Sequence, residues 1–149
     1  MARGGKLNLK DSRGETTVEF ALIAVVLMLI VFGIIEGGRL FSAWLIITNE
    51  TREAARYGAV CLGDPARQPT LATDLVNRVY QRTAGILERA KLTPSASISP
   101  DPNAPQWVTV RVDYNAELLA GPLLFWLPNP IPLSAVSTMR AEDGPVGGG

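Results

Sequence analysis

Between Phe20 and Ile35 the chain reads FALIAVVLMLIVFGII, sixteen residues without a charge or a polar side chain. At 1.5 Å per residue this run makes a helix about 24 Å long, short of a bilayer's hydrocarbon core at about 30 Å. Extended to Thr16–Gly38 it reaches about 34 Å and takes in Glu19 and Glu36. An unpaired acid at the bilayer centre costs on the order of 3 kcal/mol, so a spanning helix needs both acids at the interfaces or in contact with partners. Ahead of the run, Arg3, Lys6, Lys10 and Arg13 stand against Asp11 alone. Such a positive flank stays on the cytoplasmic side of a membrane.

With about 30 residues given to the membrane-like start, the remainder of the 149 is enough for one modest domain. Fourteen acids balance fourteen bases, which leaves no basic field to hold nucleic acid and no acidic excess to keep the chain unfolded. The chain has no histidine, so the commonest general base and the commonest metal ligand are both missing. Cys61 is the single cysteine; it excludes an intramolecular disulfide and a cysteine zinc site, and reads as a small buried hydrophobe. Serines, threonines and acids are present, but no nucleophile has a plausible general base nearby in sequence. The expectation is therefore no catalytic residue, no metal, no cofactor and no small-molecule substrate.

A cleavable secretory signal fits the basic start but not the end of the apolar run. A cut after Gly38 would put Glu36, and a cut after Ala43 would put Phe41, where a small residue is required. A plain single-pass anchor is a second reading. A third comes from RGETTVEFAL, Arg13 to Leu22: the basic leader ends in Gly14, and Glu19 and Phe20 stand fifth and sixth after it, opening the apolar run. This order resembles the recognition site of the prepilin peptidases, which cut after the glycine on the cytoplasmic side and leave the apolar segment in the product. Glycine suits the position because it lets the protease approach the backbone. The bland alternative is that Gly14 ends a tail and Glu19 is an interfacial acid favoured by the helix dipole.

Together with FGIIEGGRL (Phe32 to Leu40) and NETREAARYGA (Asn49 to Ala59), the leader motif resembles the TadE-like family, minor pilins or pseudopilins of tight-adherence, Flp-type pilus systems. The passage Val108 to Glu142, with its strand, apolar proline-containing connection and Met-Arg-x-Glu ending, is similar to the family's C-terminus, so the resemblance covers most of the chain. It implies a precursor in the bacterial cytoplasmic membrane, N-terminus inside and head outside, cut between Gly14 and Glu15. It also implies that Glu19 pairs with a terminal amine, usually a neighbouring subunit's, during assembly. The partners it implies are a prepilin peptidase, other pilin subunits with their assembly machinery, and membrane lipid. Glu15 departs from a neutral first residue, which leaves N-methylation of the new terminus open. The alternative is an unprocessed single-pass protein whose head binds an envelope partner.

The resulting fold class is α+β: residues 1–14 form the leader, 15–61 a transmembrane and stalk helix, 62–142 a small head, and 143–149 a flexible tail. Trp44, Ile47, Thr51, Ala54, Gly58 and Cys61 recur at helical steps and give the stalk one apolar side. Unbroken from Glu15 to Val60 it would be about 69 Å long, with Gly37 and Gly38 able to kink it. Gly33 and Gly37 make a G-x-x-x-G, read either as a close helix-packing face or as a loosened outer end. Glu36, three residues before Arg39, pairs with it or reaches water. In the head, periodicity predicts a second helix over Thr70–Lys91 and strands over Ser95–Ser99, Trp107–Tyr114 and Leu133–Arg140. Within Gly121–Pro132, Leu124, Phe125 and Trp126 form an apolar patch that is either a contact surface or interfacial anchor, or else part of the core.

Overall fold

The computed structural model describes residues 11–64, 66–99, 106–121 and 126–141. The fold is α+β: one long apolar N-terminal helix, a second helix, and a small antiparallel sheet. Helix α1 runs Asp11–Cys61, 51 residues and about 77 Å. It begins ahead of Glu15 and stays helical through Gly14 and through the Gly37–Gly38 pair. Its first half is the one helix among the described residues long and apolar enough to cross a membrane, and no part of that apolar window is buried inside the protein. This is consistent with membrane anchoring.

Helix α2, Gln68–Thr83, buries Leu71, Leu75, Val79 and Thr83. It is shorter than the Thr70–Lys91 expectation at its far end. The Thr83 hydroxyl donates to the Val79 carbonyl at 2.8 Å, and the chain then leaves the helix at Ala84 and turns at Gly85, whose φ is +81°. An L side chain adopts that φ only with strain, so glycine here stops the helix rather than softening it. Ile86 is exposed in consequence, Leu87 packs on the core edge, and Arg89–Lys91 make a short 3-10 turn.

Three strands follow in spatial order β1-β2-β3: β1 Leu92–Ile98, β2 Trp107–Ala116 and β3 Ile131–Arg140, all antiparallel. The first is longer than Ser95–Ser99 because Pro94 does not break it. Ser99 N–H donates to the Trp107 carbonyl at 2.9 Å, and alternation from that bonded pair puts Pro94 at a non-bonded position of an edge strand, where no N–H is asked for. By the same count from Ala141 N–H to Gln106 O, Pro132 is tolerated at the start of β3. Strand β2 alternates as its sequence predicts, with Val108, Val110, Val112, Tyr114 and Ala116 buried.

The two helices lie on one face of this sheet. The second half of α1 sends Ala43, Ile47, Thr51, Ala54, Ala55 and Cys61 into the core against α2, β2 and β3. Trp44, expected on that stripe, is 41% exposed on its flank. At Gly58 an added Cβ would lie 2.8 Å from Val108 Cγ1 and 3.0 Å from Leu75 Cδ1. Glycine is what lets α1, α2 and β2 meet there. Arg82 of α2 reaches back to Glu50 of α1 at 2.6 Å and closes the helix pair at the surface.

Candidate functional site: the two ends of the apolar helix segment

At its N-terminal end α1 presents Gly14, Glu15, Glu19 and Phe20 on a fully accessible surface. A Cβ at Gly14 would meet nothing within 4 Å. Glu15 and Glu19 stand one turn apart on the same side of the helix, and both are exposed, as is Phe20 at 71%. The apolar residues that follow are exposed on every side, Ile34 at 70%. Gly33 and Gly37 are also open, with nothing within 4 Å of an added Cβ. The G-x-x-x-G face thus has no partner among the described residues of this single chain.

At the C-terminal end of the segment the surroundings change within one turn. Glu36 is only 3% exposed. Its Oε1 accepts from Arg39 Nε at 3.1 Å and from Arg39 Nη2 at 2.5 Å. Its Oε2 accepts the backbone N–H of Leu119 at 3.0 Å and of Ala120 at 3.4 Å. Arg39 donates in addition to the Glu117 carbonyl. The acid therefore pairs with Arg39 and does not reach water, and it clasps the connection after β2 to the helix.

That connection is tied at other points. Asn129 Oδ1 accepts the Leu118 N–H at 3.1 Å, which closes the loop's two arms on each other. Lys91 Nζ lies 2.6 Å from Glu88 and 2.9 Å from Glu117. Hydrogen bonds to those two carboxylates hold its ammonium above the ordinary lysine range. Of the patch expected in this connection, Leu124 and Phe125 lie outside the described residues. Trp126 is 58% exposed, so it is a surface residue and not part of the core.

Read from the sequence, Glu36 either pairs with Arg39 or reaches water, and the loop is missed. A signal was present: Leu40, Ala43, Ile47 and Thr51 follow Glu36 at helical steps, so this acid heads the stripe that goes into the core. A carboxylate in that position must find donors. Which donors it finds is set by the return of the chain some eighty residues later, and nothing local encodes that.

The remaining surface offers little chemistry. A hollow of about 220 Å³ beside Tyr57 is lined by Glu53, Arg56, Val60 and Arg78, and the Arg78 guanidinium is stacked 4.3 Å from the Tyr57 ring centroid. Among the described residues no group of three or more His, Cys, Asp or Glu is gathered for a metal.

These observations define a class: an α+β protein whose small head is carried on the second half of a single long helix, with the apolar first half left uncovered. Within that class, the family model described as TadE-like protein matches residues 14–56. The match starts at Gly14 and ends inside the stalk; the C-terminal passage Val108 to Glu142 lies outside it. No curated protein matches the chain, and no solved structure does.

Proposed function

We propose that this chain is the membrane-inserted precursor of a TadE-like minor pilin or pseudopilin, cut by a prepilin peptidase between Gly14 and Glu15 and acting in assembly of a tight-adherence pilus. The observation that carries this reading is the placement of Gly14, Glu19 and Phe20 at the mouth of a fully uncovered apolar helix whose far half bears a head. The family match over 14–56 supports it. The leader stays in the bacterial cytoplasm, α1 crosses the cytoplasmic membrane once, and the head stands outside. The role is structural, with other pilin subunits and the assembly machinery as partners.

Cutting creates an amine on Glu15, one turn from the Glu19 carboxylate. In a bundle of such helices Glu19 takes a subunit's terminal amine as partner. That contact offsets the desolvation of the acid and fixes the stagger between helices. The Gly33–Gly37 face, open in the single chain, gives neighbouring backbones room to approach.

One observation favours an unprocessed single-pass protein instead: α1 is helical straight through the Gly14–Glu15 bond. A protease needs that turn frayed, and glycine, a weak helix former, makes fraying easy. The intact mass of the protein extracted from membranes with an active prepilin peptidase decides between the two. Loss of residues 1–14 is expected; a chain still beginning at Met1 or Ala2 overturns the proposal. In the same system Glu19→Ala should be cut normally yet enter the assembled filament poorly, and normal incorporation would remove Glu19 from the mechanism.

A further inference from the structure

Leu119 is 74% exposed, more than any other large apolar side chain among the described residues that reach the surface, and Trp126 and Leu127 of the same connection are 58% and 41% exposed. On α1, five and eight residues past Glu36, Phe41 and Trp44 are stacked at 5.9 Å with 28° between their planes, and both are exposed. In a water-soluble protein such a concentration is a liability. Its level along α1 gives it a purpose. From Glu15 to Glu36 the helix rises about 32 Å, the thickness of a hydrocarbon core. If Glu15 and Glu19 lie at the inner interface, Glu36 lies at the outer one, and its bonds to Leu119 and Ala120 hold the connection at that depth.

The backbone of the first arm of this connection, residues 118–121, is prepared to lose water. Four consecutive N–H groups are met by protein acceptors: Leu118 by Asn129 Oδ1, Leu119 and Ala120 by Glu36 Oε2, and Gly121 by the Leu118 carbonyl at 3.4 Å. The Glu117 carbonyl has Arg39. A loop facing only water needs no such provision, whereas irregular backbone at membrane depth does. Tryptophan is the side chain most at home there, apolar in its rings and polar at its N–H.

We propose that the two described arms of the connection after β2, residues 117–121 and 126–130, rest on the outer-leaflet interface of the bilayer that α1 crosses, with Leu119, Trp126 and Leu127 among the lipid headgroups and upper acyl chains, at the level of Phe41 and Trp44. This rests on the reading of the first half of α1 as a membrane span. The occupant is lipid, because Glu36 ties the connection to the very end of the exposed apolar run of α1, and the side chains the connection exposes there are themselves apolar. Glu36 is then the hinge-pin of the contact: it is buried by the loop it holds, and the loop shields it from lipid. The head is fixed in tilt against the membrane as well as tethered to it.

The test uses the full chain in phosphatidylcholine vesicles and tryptophan quenching by brominated lipid. Trp44→Phe with Trp107→Phe leaves Trp126 as reporter; Trp44→Phe with Trp126→Phe leaves Trp107, at the opposite end of β2 and about 31 Å from Ala116. Val31→Trp in a chain with all three native tryptophans replaced by Phe reports the span. Lipid brominated near the headgroup end should cut Trp126 emission to roughly half or less and lipid brominated at the chain end should cut it less, as befits an interfacial residue. Trp107 should change little. Trp126 as unaffected as Trp107, while the Val31→Trp reporter is quenched, overturns the proposal and leaves the span standing; a neighbouring protein covering the patch would give that outcome. An unquenched Val31→Trp reporter overturns the span, and the proposal falls with it.

Discussion

The two halves of α1 share one backbone and differ in what covers them: the first is bare of protein, the second packs on the head. From Phe20 to Ile35 apolar side chains project all round, and all but the half-buried Ala24 and Leu29 stay exposed. From Glu36 onward the polar residues withdraw to one side, and Ile47 and Ala55 are fully buried against the head. A helix apolar on every side is stable only in apolar surroundings, whereas a striped helix needs one partner face. On the proposed membrane reading, the change of pattern marks where lipid gives way to protein. Glu36, the first residue of the stripe, is built for that border, with a cation from its own helix and two amides from the head.

Paired substitutions break or sharpen the contrast. The largest effect belongs to Ile47→Ala, which should lower head stability by about 2–5 kcal/mol in a denaturant titration in detergent. The same deletion at Ile30, on the exposed half, should leave the head within about 0.5 kcal/mol. Equal losses would mean that the first half is packed against the head after all. Next comes Gly58→Ala, which drives a methyl into Val108, a β-branched side chain with little room to turn, and should cost about 1–3 kcal/mol. Gly37→Ala meets open space and should not weaken the head; by helix propensity it gains about 0.5–1 kcal/mol. Any cost it carries should appear only in association between subunits.

Glu36→Ala strands Arg39 and the amides of Leu119 and Ala120, a loss of about 1–3 kcal/mol confined to the junction. Amide exchange should quicken at those two residues and stay slow at Val110 in the centre of β2. The smallest effect lies on the solvent face of the sheet. There the Arg111 hydrogen bond, at 2.8 Å, holds the Asp113 carboxyl below the ordinary range. A lowered folded-state pKa contributes stability above the unfolded value and loses it as pH falls through the folded one. Arg111→Gln should thus raise the Asp113 midpoint in an NMR titration and hardly alter unfolding at neutral pH, since exposed pairs contribute little.

What the sequence made legible follows from how local each signal is. The apolar run, the stripe of Ile47, Thr51 and Ala54, and the alternation of Val108, Val110 and Val112 are repeats of one chemical choice, and the α+β fold follows from them. Single residues misled: Pro94 and Pro132 look like strand breakers until the ladder shows which positions need no N–H. Gly85 lies inside the helix expected over Thr70–Lys91 until its φ shows a stop. Trp44 fits the stripe by spacing and leaves it by one step of rotation. At the candidate site the same rule holds. Gly14, Glu19 and Phe20 are close in sequence, so their order could be read. The clasp joins Glu36 to Leu119 and Ala120 across the whole head, and only the folded chain brings them together.

The border at Glu36 is tested most directly by single cysteines placed along α1 in a Cys61→Ala chain, in native membranes, with a membrane-impermeant maleimide added outside. Positions from Phe20 to Ile35 should be unreactive, and exposed positions of the second half, such as Arg52 and Arg56, should label. Labelling throughout Phe20–Ile35 in intact membranes, or protection that runs unbroken past Glu36 to Arg56, would contradict a helix that passes from lipid to protein at that residue.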